Sequence, residues 1–148
     1  MTPRMSVESQ TPVWTEDSIA QPIRVAVVDD HKILRDSIRV LLGAEADMEW
    51  VGEACDGAEA VGLVARTSPD IVLMDLSMPG TDGLTATQQI VSSRSRARIV
   101  VLTTSADPDH VRLSLEAGAA AVVDKDGNPA TILAGIRSVV GADHAPCV

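Results

Sequence analysis

A short apolar run followed by a stretch of helical spacing recurs five times between residues 23 and 140, and no other feature constrains the fold as strongly. The runs occupy residues 23–28, 49–54, 71–74, 98–102 and 120–123. The first, third and fourth are almost uniformly aliphatic and rich in β-branched residues, as expected of strands covered on both faces of a parallel sheet. The second alternates polar and apolar residues, which suits an edge strand.

The stretches between the runs carry helix punctuation. Residues 31–42 place Ile33, Leu34, Ile38, Leu41 and Leu42 on one helical face, with Gly43 following as C-cap. Residues 58–67 stop before Pro69, because the residue ahead of a proline is pushed out of the helical region. Asp107-Pro108 and Asn128-Pro129 each read as an N-cap and a first helical position, and Gly118 closes the fourth helix. The last helix carries Ile132, Leu133, Ile136, Val139 and Val140 and ends near Gly141. Strands joined in this way pack with right-handed crossovers, and five units are too few for a closed eight-stranded barrel. The expected fold class is α/β, a (βα)5 open, doubly wound, parallel five-stranded sheet.

Composition narrows the class further. With two Trp, no Phe and no Tyr, the core must be built from aliphatic side chains. A formal net charge of −9 repels phosphate backbones, so direct nucleic-acid binding by this segment is not expected. No apolar run approaches the roughly 20 residues that span a bilayer, and the N-terminus lacks the pattern of a secretory signal. Cys55 and Cys147 stand alone and read as reduced thiols in a cytoplasmic protein. Residues 1–22 hold Pro3, Pro12 and Pro22 without sustained periodicity and read as a flexible leader. The expected organisation is this leader, a domain over 23–141 and a tail over 142–148.

In open parallel sheets, ligands bind outside the carboxyl ends of the strands, so the residues there carry the functional question. The first strand ends in Asp29-Asp30, the third in Asp75 and the fourth in Thr103, while Lys125 follows the fifth. Two like charges about 4 Å apart repel by about 4 kcal/mol at an effective dielectric near 20, so three carboxylates at one edge call for a cation. Carboxylate oxygens with room for water suit a hard ion such as Mg²⁺. A carboxylate can also act as a nucleophile toward phosphorus, with Lys125 and the metal offsetting charge and Thr103 donating to a phosphoryl oxygen. His31 follows the two aspartates with no partner His or Cys nearby and reads as a helix-start residue beside the site. Arg35 reads as a surface or interface residue, and Arg94, Arg96 and Arg98 as a solvated connection.

Asp29-Asp30, the segment from Met74-Asp75 through Pro79 and Gly83, Val101-Leu102-Thr103-Thr104, and Gly118-Ala119 with Lys125-Asp126 together resemble the signature set of the receiver domains of two-component response regulators. The similarity covers about residues 23–141. Asp29-Asp30-His31, Arg35 and Lys125-Asp126 resemble the NarL/LuxR-type branch, whose members usually carry a C-terminal helix-turn-helix. The resemblance implies a flavodoxin-like fold and a phosphorylation switch, not an enzyme acting on other substrates. Asp75 would accept phosphate from a histidine kinase. Asp30, Asp75 and the backbone carbonyl of Ser77 would ligate Mg²⁺, and Asp29 would hold metal-bound water. Lys125 would pair with the phosphoryl group and Thr103 would move toward it.

One position departs from the pattern. Three residues before Lys125 the family often has an aromatic coupled to the threonine, and here it is Val122. Signalling is then expected to leave through the 103–109 loop and the following helix. That change would alter a surface that exposes small residues at Ala119–Ala121 and promote a phosphorylation-linked homodimer. A haloacid-dehalogenase-type phosphatase also uses a strand-end Asp, but it needs a second Asp two residues later, where Ser77 stands. A receiver-like module that takes no phosphate would lack one of the acidic pair, the acceptor, Thr or Lys, and none is missing. The output is expected to be a transcription-regulating domain elsewhere in a longer regulator, the alternative being a stand-alone receiver acting through protein contacts.

Overall fold

All strand pairings are parallel, and the order across the sheet is β2-β1-β3-β4-β5. The computed structural model of the protein describes residues 21–76, 83–104, 108–125 and 128–144. Along the chain these form β1 (Ile23–Val28), α1 (Lys32–Gly43), β2 (Met48–Ala54), α2 (Gly57–Thr67), β3 (Ile71–Asp75), α3 (Gly83–Ser92), β4 (Arg98–Thr103), α4 (Pro108–Glu116), β5 (Ala121–Asp124) and α5 (Pro129–His144). The expected doubly wound sheet is present, and the alternating β2 does lie at an edge. The chain runs outward from β1 to β2, then crosses to β3 on the other side of β1. The topological switch point therefore falls between β1 and β3, the place where open α/β sheets bind their ligands.

Strand alternation sorts the core into two layers. Ala26, Val28, Val72, Met74, Ile99 and Val101 face one side and pack with Leu63 and Val64 of α2 and Ala86 and Ile90 of α3. Val25, Val27, Leu73, Val100 and Leu102 face the other and pack with Ile38 and Leu42 of α1 and Ile132, Leu133, Ile136 and Val139 of α5. Both layers are aliphatic, as the composition requires. The half-buried Trp50 sits at the sheet's edge under the Arg39 guanidinium, 4.0 Å from the ring centroid.

Several local expectations are corrected. Ile33 is 83% exposed, because its position on the helix is rotated off the stripe formed by Leu34, Ile38, Leu41 and Leu42. Gly43 is the last helical residue and the cap is Ala44, whose N–H reaches the Leu41 carbonyl while the Glu45 N–H reaches that of Leu42. The last helix runs on to His144. Ala119 is buried and Ala121 half-buried, so of the three small residues expected on the surface only Ala120 is exposed. Arg94, Arg96 and Arg98 are exposed, as a solvated connection requires, and Arg96 also pairs with Asp70, whose other oxygen accepts the Arg24 N–H at 2.9 Å. Asn128 does cap α5, accepting the Ala130 N–H at 2.9 Å, and Gly118 does take a left-handed φ of 111°. Asp107 lies outside the described residues.

Gly83 opens α3 directly against the end of β3. A Cβ there would overlap the Asp75 carbonyl oxygen and lie 2.9 Å from the Leu76 Cα, both backbone atoms that cannot swing away. Around Gly43 a Cβ would meet nothing within 4 Å. Gly83→Ala is expected to lose about 1–3 kcal/mol of stability through overpacking. Gly43→Ala is expected to be neutral or to gain about 0.4–1 kcal/mol by stiffening the unfolded chain. Urea midpoints of the two variants check this, and equal losses at both positions would refute the close-approach argument.

Candidate functional site

The strands on either side of the switch point deliver the acidic residues. Asp29 follows the last residue of β1, its N–H held by the Ala54 carbonyl at 3.1 Å, and Asp75 is the last residue of β3. Both carboxylates are buried, and Asp30 is partly so. Lys125 comes in from the end of β5, fixed by its own N–H to the Thr103 carbonyl at 2.8 Å. Its Nζ lies 2.7 Å from Asp29 Oδ2 and 3.2 Å from Asp75 Oδ1. One ammonium therefore bridges two buried carboxylates. Burial opposes the charged lysine, but the hydrogen bond and charge of Asp29, with those of Asp75, outweigh it and raise its pKa above the ordinary lysine value.

Thr103 ends β4 beside this pair and is buried. Across β5 its register partner is Asp124, while Val122 stands opposite Val101, half-buried. Five of the residues singled out from sequence, Asp29, Asp30, Asp75, Thr103 and Lys125, thus stand at the carboxyl ends of the strands, around the switch point. Ser77 lies outside the described residues, as do Pro79 and Asp126.

Two residues contribute more than the sequence suggested. Arg35 is largely buried: it donates to the Asp29 carbonyl at 2.7 Å, and its Nε stands 3.4 Å from Glu53. It braces the turn that presents the acidic pair. Its spacing one helical turn after His31 was the available signal, since the first turn of α1 folds back over that loop. His31 also turns into the pocket, with Nδ1 3.0 Å from Asp29 Oδ1 and 3.0 Å from Asp30 Oδ1.

The donor set suits a hard divalent cation. One atom each from Asp29, Asp30, His31 and Asp75 lies within 4.8 Å of all the others. Three carboxylates facing one lysine leave excess negative charge at the strand ends, which a cation would offset. No helix among the described residues is long and apolar enough to cross a membrane.

Known proteins resemble the chain in both sequence and fold. The family profile of the response regulator receiver domain matches residues 25–137. The transcriptional regulatory protein LiaR of Bacillus subtilis is 44% identical over 116 residues, covering 78% of this chain and 55% of LiaR. The chain spans about half the length of the curated relatives it matches. A LuxR-family two-component response regulator from Aurantimonas superposes with a TM-score of 0.79 at 35% identity, covering 82% of this chain and 87% of that one. The CheX–CheY–BeF3–Mg²⁺ complex from Borrelia burgdorferi matches with a TM-score of 0.75 at 26% identity, covering 81% of this chain and 90% of that one.

The charge balance makes opposite forecasts for the two partners of one ion pair. Lys125→Met should destabilise strongly, by about 3–5 kcal/mol, because two buried carboxylates lose their counter-charge. Asp75→Asn should stabilise by about 1–2 kcal/mol in the absence of divalent ions, since Asp29 keeps the lysine while one repulsion disappears. Thermal and urea unfolding in chelator at neutral pH measure both. A loss of stability in Asp75→Asn would mean that attraction to Lys125 outweighs repulsion between the acids.

Proposed function

The chain belongs to the response regulator receiver domain family, and from that premise we propose that it is a phosphorylation-dependent signalling switch whose acceptor is Asp75. The observation that carries the proposal is the Asp75 carboxylate, buried at the end of a central strand, with Lys125 Nζ 3.2 Å away and Thr103 ending the neighbouring strand. An Asp75 oxygen attacks phosphorus in a phosphohistidine of a histidine kinase, or in a small phosphodonor. The new O–P bond forms as the bond to the donor breaks, and the donor group leaves with the electron pair. Lys125 meets the charge gained on the phosphoryl oxygens, and Thr103 donates a hydrogen bond to one of them.

Mg²⁺ would be held by Asp30, Asp75 and the Ser77 carbonyl, with Asp29 on its water, and when bound supplies positive charge against the carboxylate and phosphoryl oxygens. The domain comprises about residues 23–141 and works in the cytoplasm. Because LiaR is a transcriptional regulatory protein and the chain spans about half its length, the controlled output is a transcription-regulating domain. The α4–β5–α5 face, where Leu113 and Leu115 are 41% and 49% exposed, is the surface through which phosphorylation would tighten self-association.

Incubation with acetyl phosphate and Mg²⁺ should add one phosphoryl group by intact mass, and Asp75→Asn should add none. Mg²⁺ should stabilise the protein by about 2.7 kcal/mol at 100 times its dissociation constant, a shift largely lost in Asp30→Ala. An adduct on Asp75→Asn would move the acceptor elsewhere, and sustained phosphate release over many turnovers would favour the phosphatase reading.

For the output step, beryllofluoride should tighten self-association in analytical ultracentrifugation, and Thr103→Ala should blunt the increase. Ligand can shift this equilibrium only by its differential affinity for the two states. An undiminished increase in the Thr103→Ala protein would exclude the threonine route.

A further inference from the structure

His31 occupies the N-cap position of α1, yet its side chain makes no cap hydrogen bond. The imidazole is turned the other way, so that Nδ1 lies 3.0 Å from an oxygen of Asp29 and 3.0 Å from an oxygen of Asp30. The backbone on both sides is fixed: the His31 N–H donates to Asp29 Oδ1 at 2.8 Å, and the His31 carbonyl accepts the Arg35 N–H at 3.0 Å. The orientation is therefore built into the turn between β1 and α1.

These spacings have a coordination meaning. Neighbouring ligands of an octahedral ion with bonds of about 2.1 Å are about 3.0 Å apart. His31 Nδ1 stands at that separation from Asp30 Oδ1, and with Asp29 and Asp75 these atoms form one group within 4.8 Å. Carboxylates alone would serve Mg²⁺, a hard ion that dehydrates reluctantly and prefers oxygen. Imidazole nitrogen adds little for Mg²⁺ but is a good partner for first-row transition ions.

We propose that His31 is a direct ligand of the divalent ion in this pocket and shifts its selectivity from Mg²⁺ toward ions such as Mn²⁺ and Co²⁺. The proposal rests on the reading of the Asp29–Asp30–Asp75 pocket as a cation site. Coordination uses the Nδ1 lone pair of a neutral ring whose proton sits on Nε2. The Asp30 and Asp75 ligands are common to all these ions, so the histidine changes the ranking among them and leaves the pocket intact without it.

The test uses the full chain, its His31→Ala and Asp30→Ala variants, and Mn²⁺ followed by electron paramagnetic resonance, with Mg²⁺ affinity measured by competition. In the native protein, bound Mn²⁺ should show electron spin echo modulation from an imidazole nitrogen, absent in His31→Ala. Mn²⁺ should bind at least about tenfold more weakly to His31→Ala, the scale seen when even an outer partner of a ligand is lost. Mg²⁺ should weaken by less than about twofold. Tightly bound Mn²⁺ with no nitrogen modulation, or equal weakening of both ions, would overturn the histidine's role while leaving the cation site standing. Mn²⁺ binding that survives Asp30→Ala would overturn the pocket itself, and the proposal with it.

Discussion

A single ammonium lets two neighbouring strands end in acid at the same place. Lys125 stands between Asp29 and Asp75, both buried, and neither carboxylate would be tolerated there without it. Burying charge costs several kcal/mol per ion even after relaxation, and attraction between the partners returns that cost only when the geometry is close. The geometry here is close because backbone fixes each partner: Lys125 through its N–H on the Thr103 carbonyl, Asp29 through its N–H on Ala54. The balance remains incomplete, since Asp30 adds a further negative charge at the rim. A pocket left acidic by its own architecture attracts cations and resists a second anion until one has bound. In the proposed function that sequence is the operating order of the switch.

The sheet beneath was legible because strand alternation and the switch point are local or topological facts. The pattern around Val25–Val28 assigns alternate residues to opposite layers, and the strand order that sets β3 beside β1 brings Asp29 and Asp75 together. What escaped reading depends on which surfaces meet. Ile33 looks equivalent to Ile38 in a list of apolar residues, yet a rotation about the helix axis leaves it in solvent. Asp70 gathers Arg24 from 46 residues earlier and Arg96 from 26 residues later, a pairing that no local pattern encodes. The N-cap of α2, where Asp56 accepts the Glu59 N–H at 2.8 Å, was readable in principle from the Asp-x-x-Glu spacing. Arg35 and His31 were visible as residue types but not as parts of the pocket, because their roles follow from the tightness of one turn.

The substitution of a valine where related proteins often have an aromatic can be weighed against the same geometry. Val122 is half-buried against the core and lies on β5 opposite Val101, two residues before the Asp124 that stands across from Thr103. A β-branched side chain has one strongly favoured rotamer and little reach, so it cannot relay a movement of Thr103 by swinging. The backbone offers another route, since the Thr103 carbonyl holds the Lys125 N–H and both residues border the pocket. The element next to them is α4, which buries only Ser114 from its own length and leaves Leu113 and Leu115 partly in solvent. A helix with so little apolar burial has few contacts to lose when it shifts or frays, whereas α1 buries Ile38 and Leu42 and α5 buries Ile132, Leu133, Ile136 and Val139. The least anchored helix therefore stands directly after the strand that ends in Thr103. Under the proposed function, that arrangement would give the pocket a mechanical outlet that does not require an aromatic side chain.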